Sequence, residues 1–297
     1  MPPRDPVITV FAPTGIGEVT RGADLAEAVL TAAAADPSGP LQAGDVVVVT
    51  SKIISKADGL VRAGHDREAA ITEQTAATVA RRGATRIVRT RAGLTVAAAG
   101  VDNSNVASGT VLVLPEDADA RAATLHAELT RRTGLPLGVV VSDTAGRAWR
   151  LGQTDHAIGA AGLRVLERYA GRQDPYGNDL QVTAMAVADE IAGAADLAKG
   201  KLAGRPVAVV RGVAHLVQPV GLPDGRAADL IRPLEQDMFS HGTREAVLVA
   251  VLTATGQSDR YEELVALDGP ALAAAVLTGT DLSADAEALV SALFVRT

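Results

Sequence analysis

The stretch LPLGVVVSDTAGRAWRLGQTDHAIGAAG, residues 135–162, decides how the chain is read. Its first seven residues are apolar and rich in valine, the composition of a buried strand. Asp143, Arg147, Arg150, Gln153 and Asp155 then arrive within about a dozen positions. In layered proteins of α and β elements, ligand groups collect at strand ends, so a strand stopping in such a burst of charge marks a candidate site. The plainer account is that Asp and Ser terminate strands and cap helices.

The pattern recurs. VVVVT (46–50) runs into Ser51 and Lys52, VAVV (207–210) into Arg211 and Gly212, and TVAAAGV (95–101) into Asp102, Asn103, Ser104 and Asn105. Four such ends weaken the plainer account. VITVF (7–11) and GTVLVLP (109–115) add further strands, while residues 21–35, 117–133 and 183–198 carry apolar residues at helical spacing. The fold class expected is therefore α+β, a mixed α and β architecture, with turns at PSGP (37–40), DPYGND (174–179) and GLPDGR (221–226). Beyond residue 243 the polar motifs stop and REAVLVAVL (244–252) opens a mainly helical run. The expected division is a main domain over 1–243 and a helical segment over 244–297.

Composition narrows the function. With 297 residues and 47% hydrophobic content the chain can bury a large core, yet aromatic residues are only 2%, which leaves few platforms for stacking bases. A formal charge of -7 argues against nucleic acid and against an anionic membrane surface. No apolar run approaches the ~20 residues of a membrane span, and the first residues lack a signal-peptide pattern, so a cytoplasmic protein is expected. Cysteine is absent, and His65, His126, His156, His215 and His241 show no zinc-type pairing. Any metal would sit among oxygen ligands, as Mg or Mn does. Lysine is the informative rarity: four among 28 basic residues, confined to SKIISK (Lys52, Lys56) and KGK (Lys199, Lys201). An ammonium on a flexible stem is a common phosphate contact.

Asp102 and Asp143 are the natural metal pair, with Thr144 able to add an oxygen. Two carboxylates ~4 Å apart repel by about 4 kcal/mol at an effective dielectric near 20, which a divalent ion would relieve. The alternative is that they never meet, and spacing does not separate the two. No GxxxxGK[ST] loop occurs, and TGIGEV (14–19) is followed by Thr20 where a dinucleotide fingerprint has its third glycine. Gly15 and Gly17 still allow backbone amides to approach an anion, or form a plain turn. Lys56 taken alone reads as a solvated surface lysine. Arg147 and Arg150 either pair with nearby carboxylates or clamp a substrate anion. Trp149 reads as core rather than as a stacking surface, and His156, beside Asp155, either as a general base or as a structural histidine in helix-like AIGAAG sequence.

These residues together resemble the coenzyme F-420:L-glutamate ligase family, also called F-420-0 gamma-glutamyl ligases. The likeness is carried by GDVVVVTSKIISKADG (44–59), AAAGVDNSNV (97–106), VSDTAGRAWRLGQTDHAIGAAG (141–162), RQDPYGNDLQVTAMAVADEIAGAADLAKGK (172–201) and PVAVVRG (206–212), in order over roughly residues 6–240. It implies a two-lobed fold forming an intertwined homodimer. It also implies a GTP-dependent ligase that adds L-glutamate to the F-420 precursor through an acyl phosphate and extends a gamma-linked tail. By position, the nucleotide contacts implied are Ile16, Gly17, Glu18, Val19, Ser51, Lys56 and Asn105. The implied metal ligands are Asp102 and Asp143 for one ion and Thr144 for a second, with potassium as a further candidate ion. Catalytic roles are expected for Asp143, Arg147 and Arg150. Archaeal-type relatives carry an acidic residue near the position of Lys201, and a protonated lysine cannot ligate, so one or two ions remain open. Actinobacterial relatives often add a flavin domain; with this chain ending at 297, ligase activity alone is expected. The rival readings are an amide ligase of the same fold with another carboxylate acceptor, and a non-catalytic nucleotide-binding protein.

Overall fold

A computed structural model describes residues 7–218 and 225–295, so the turn read at 221–226 falls largely outside the described residues. The elements begin with β1 (Thr9–Phe11), α1 (Leu25–Ala35), β2 (Val46–Thr50), α2 (Ser51–Asp58), β3 (Val61–Ala63) and α3 (Arg67–Gln74). Three strands follow, β4 (Thr75–Arg82), β5 (Thr85–Thr90) and β6 (Thr95–Ala97), then β7 (Thr110–Leu112) and α4 (Ala118–Thr133). A long pair, β8 (Gly138–Arg147) and β9 (Arg150–Ala161), precedes four two-residue strands: β10 (Glu167–Arg168), β11 (Arg172–Gln173), β12 (Asp179–Leu180) and β13 (Ala184–Met185). Then come α5 (Val187–Lys199) and β14 (Val207–Arg211). The last helices are α6 (Thr243–Ala254), α7 (Tyr261–Leu264), α8 (Gly269–Leu277) and α9 (Ala284–Val295). The class is mixed α and β.

The described residues belong to two compact units, one spanning 1–70 and 101–231, the other 71–100 and 232–297. At the centre of the first lies a five-stranded sheet, ordered β1-β14-β2-β8-β9, in which only β2 and β8 run parallel. Val46, Val47, Val48 and Val49 are all fully buried, as expected of a strand covered on both faces. On one face Val46, Val48, Val140, Ala208 and Val210 meet Ala188, Ile191, Ala192 and Ala195 of α5. By strand alternation Val139 and Val141 point the other way, toward α4, which packs on β8 and β9. The small residues of α5 let it lie close to the sheet, which suits a core short of aromatics. Gly159 marks a close approach on the α4 side: a Cβ there would lie 2.2 Å from the Ala118 carbonyl oxygen, where α4 begins.

In the second unit β4, β5 and β6 form an antiparallel sheet, and α6 to α9 gather around Leu248, Leu252, Leu264, Leu272 and Phe294. Side-chain hydrogen bonds tie the two parts together. Glu262 accepts from the Thr78 amide and hydroxyl at 3.1 and 3.0 Å, and buried Glu245 accepts from the Arg81 amide at 3.2 Å. The helical run expected from 244 thus shares its compact unit with residues 71–100.

Several local expectations are corrected. The strand read at 95–101 stops at Ala97, because Ala98 and Ala99 adopt left-handed φ of 50° and 54°. The segment around His156 is strand β9 rather than helix: its alanines and glycines, poor strand formers alone, are held by pairing with β8. Trp149 is not core but 81% exposed, since it sits with φ 60° at the turn between β8 and β9. Arg211 ends β14, which runs antiparallel to β2, so it emerges at the opposite edge from Ser51. There it bonds buried Asp45 through Nε and Nη2 at 2.9 and 2.8 Å, a structural ion pair.

Candidate functional site

Because β2 and β8 are parallel, their C-terminal ends share one edge, with Thr50 opposite Ser142. Helix α2 starts there, and the Ser51 hydroxyl donates to Asp143 Oδ1 at 2.7 Å. The next residue, Lys52, reaches Asp102 Oδ2 at 2.6 Å and also donates to the Ser104 hydroxyl. Asp102 in turn accepts the Ser104 amide at 2.8 Å, which folds the 102–105 turn. Burial pushes the Asp102 carboxyl up, but Lys52 and the Ser104 amide outweigh it and hold it below its ordinary value. Asp143 has no such cation. It keeps some surface, yet enough protein surrounds it that burial dominates, and the charges of Asp155 and Asp102 add to it. Ser51 and Lys52 oppose only part of this, and Asp143 is pushed up to about 6.

A slip in the hairpin separates this carboxylate from a third. Val141 pairs with Gly159 but Ser142 pairs with Ala157, leaving Ile158 as an extra residue in β9. Beyond the slip Thr144 faces Asp155 while Asp143 faces His156. Asp155, 3% exposed, accepts from the Ser142 and Thr144 hydroxyls at 2.9 and 2.6 Å and from Lys199 Nζ at 2.7 Å. Lys199 is itself buried, in the last turn of α5, where a cation also meets the negative end of the helix dipole. Lys201, just past the helix, bonds Thr144 Oγ1 at 2.8 Å and Asp196 Oδ1 at 3.0 Å and lies 3.5 Å from Asp155. Burial pushes Asp155 up, but the Lys199 charge and the three donors more than cancel it, so its pKa is lowered. Burial likewise works against the Lys201 charge, and Asp196 and Asp155 overcome it, raising its pKa.

A cavity of about 800 Å³ opens beside these groups, the size of a ligand pocket. All four lysines of the chain line it, with Arg205 a fifth cation. Of the residues named from sequence, Ile16, Gly17, Glu18, Val19, Lys56, Asn105 and Thr144 line it as well. Ser51, Asp102 and Asp143 do not: they stand behind Lys52 and Thr144, by chain adjacency or by hydrogen bond. Arg147 and Arg150 also lie off the lining, exposed where β8 turns into β9, with Arg147 donating to the Leu151 carbonyl at 3.2 Å. Lys56 is not a solvated lysine: its side chain is 14% exposed and pairs with Glu18 at 2.6 Å. Asn105 holds φ 56°, a left-handed conformation that Asn tolerates better than most residues.

The donor set suits one hard cation. Among the described residues no three His, Asp or Glu side chains already surround a single point. Asp102 and Asp155 each hold a lysine, and Asp143 alone of the three has no close cation while facing two like charges. A divalent ion at Asp143 and Asp102 would relieve that repulsion. Thr144, by contrast, is already engaged by Asp155 and Lys201. The sequence reading did not name Asp196 or Arg205; Asp155 entered it only as part of the polar burst after β8, and Lys199 only as one of the rare lysines. The scarcity of lysine was the signal available for the 199–201 segment.

Residues 15–212 match the sequence family described as F420-0:Gamma-glutamyl ligase. A protein of Methanosarcina barkeri named Coenzyme F420:L-glutamate ligase is 35% identical over 223 residues, 69% of this chain and 86% of that protein. The protein of the same name from Methanopyrus kandleri is 34% identical over 242 residues, 75% of this chain and 93% of its own. That of Methanosarcina mazei reaches 38% over 159 residues, 53% of this chain and 61% of that protein.

Proposed function

The chain belongs to the F420-0:gamma-glutamyl ligase family, and on that premise we propose that it joins L-glutamate to coenzyme F-420-0 and extends a gamma-linked tail, using GTP. The observation that carries the reading is the convergence of every lysine in an acidic, lysine-poor chain on one cavity. Cations gathered at that density serve a polyanion, and a nucleoside triphosphate is one. Ile16 to Val19 and Asn105 offer backbone and amide donors on the same wall. The γ-phosphoryl group passes to the substrate carboxylate: the bond to the β-phosphate oxygen breaks as one to a carboxylate oxygen forms, giving an acyl phosphate and GDP. The glutamate amine then attacks the acyl carbon, losing a proton, and inorganic phosphate leaves.

The chain's own work is positioning and charge. Lys52, Lys56 and Lys201 hold phosphate oxygens in line, and Asp102 with Asp143 would hold Mg or Mn. When bound, such an ion withdraws charge from the phosphate oxygens. Arg147 and Arg150 are proposed as anion contacts from the β8–β9 turn, where exposed Trp149 and Leu151 give a homodimer an apolar surface to cover. No helix among the described residues is long and apolar enough to cross a membrane. Mass spectrometry after incubation with the F-420 precursor, L-glutamate, GTP and Mn tests the whole reading. Glutamate-sized additions that vanish without GTP or metal are expected; none, with GTP still bound, would move the assignment to another acceptor.

A further inference from the structure

Three oxygens from three elements surround one nitrogen in this cavity. Thr144 of β8, Asp155 of β9 and Asp196 of α5 lie 2.8, 3.5 and 3.0 Å from Lys201 Nζ. Oxygens gathered from separate elements around one point are how proteins hold a small hard cation; here that place belongs to a cation attached to the chain. The Lys201 side chain is 58% exposed and lines the cavity, whereas Lys199 beneath it is buried and committed to Asp155. The 3.5 Å contact is at the limit of a hydrogen bond, so Lys201 retains donor capacity toward the cavity. The carboxylates are also divided unevenly: Asp155 and Asp196 have their positive partners in the protein, and Asp143 has none among the described residues.

We propose that Lys201 is the site's tethered cation: it binds phosphate charge directly, on a patch of oxygens that would otherwise need a metal, so the loaded protein holds one divalent ion instead of two. The proposal rests on the reading that phosphates enter this cavity, and the test separates the two. Equilibrium dialysis of the intact protein with saturating GTP and Mn would count ions per chain, and calorimetry would give GTP affinity for the wild type, Lys201→Gln, Lys201→Arg and Lys201→Glu. Expected are one Mn for the wild type, GTP binding weakened about tenfold or more in Lys201→Gln and largely kept in Lys201→Arg, and a second Mn in Lys201→Glu. Glutamine can still hydrogen-bond Thr144 and Asp196, so a merely structural lysine would leave Lys201→Gln unaltered. Two Mn in the wild type, or unchanged GTP affinity in Lys201→Gln, overturns the proposal. If the wild type binds no GTP, the nucleotide reading fails, and tripolyphosphate then decides for Lys201: binding lost in Lys201→Gln supports it, and binding unchanged or absent overturns it.

Discussion

Asp143 and Asp155 lie on the paired strands of one hairpin, a single register position apart, and are treated in opposite ways. Asp155 receives a buried ammonium, two hydroxyls and a second ammonium at longer range, and its pKa falls. Asp143 receives one hydroxyl, and its pKa rises. Placement on a strand end is therefore not what distinguishes the two carboxylates. The difference is whether the protein supplies a close counter-charge, as it does for Asp155, or does not, as at Asp143, the carboxylate proposed to hold an ion.

The largest effect expected on that contrast is in activity. Asp143→Asn should abolish glutamate addition, because the carboxylate proposed to hold the divalent ion is gone while Asn can still accept the Ser51 hydroxyl. Turnover close to wild type at saturating Mn would break the comparison. Next comes Lys199→Met, which fills similar volume but leaves Asp155 buried without its close cation. Removing one partner of a buried pair costs about 3–5 kcal/mol, read as a fall in the urea midpoint. A loss below about 1 kcal/mol would mean that Lys201 swings in to replace it.

The sheet was legible because apolar runs bounded by Gly and Pro leave few alternatives, and Val46 to Val49 could hardly be anything but a buried strand. What misled was direction. A strand end reads the same whether the strand runs with its neighbours or against them, so Arg211 looked equivalent to Ser51 and lies at the opposite edge. The β8–β9 hairpin was hidden for another reason: Ala157, Gly159 and Ala160 carry little β-preference and are strand only by pairing. Ile16 to Val19, Lys56 and Asn105, named through the family likeness, line the cavity, and the lysine count pointed to Lys52, Lys199 and Lys201 beside them. Asp155 escaped because nothing local distinguishes it from Asp143. Its lysine lies 44 residues away in the chain.

Acid should sharpen the contrast between the two carboxylates. Asp143 binds its proton more tightly in the folded chain, at about 6, than at its ordinary value of 3.8. The stability this provides is fully present below about 3.8 and is lost as pH rises through about 6. At ~1.4 kcal/mol per unit it amounts to at most about 3 kcal/mol. Asp155, shifted the other way, contributes stability that is present above its ordinary value and lost as pH falls through its lowered one. Chelator-treated protein should thus gain stability from pH 7 down to about 4 and lose it in stronger acid. In Asp143→Asn the gain should vanish, with metal-free stability near pH 7 above that of the wild type. A wild-type urea midpoint that falls steadily from pH 7 downward would contradict the assignment.

The smallest effect separates the two lysines. Lys201 touches the same carboxylate as Lys199 but at 3.5 Å, with 58% of its side chain exposed, and water screens what remains. Lys201→Gln should therefore change the stability of the metal-free protein by less than about 1 kcal/mol, several times less than Lys199→Met. If both substitutions destabilise equally, Lys201 is part of the scaffold and the division into one committed and one available ammonium is wrong. A small loss of stability in Lys201→Gln, with GTP affinity weakened as well, leaves Lys199 neutralising Asp155 and Lys201 serving the cavity, from positions two residues apart.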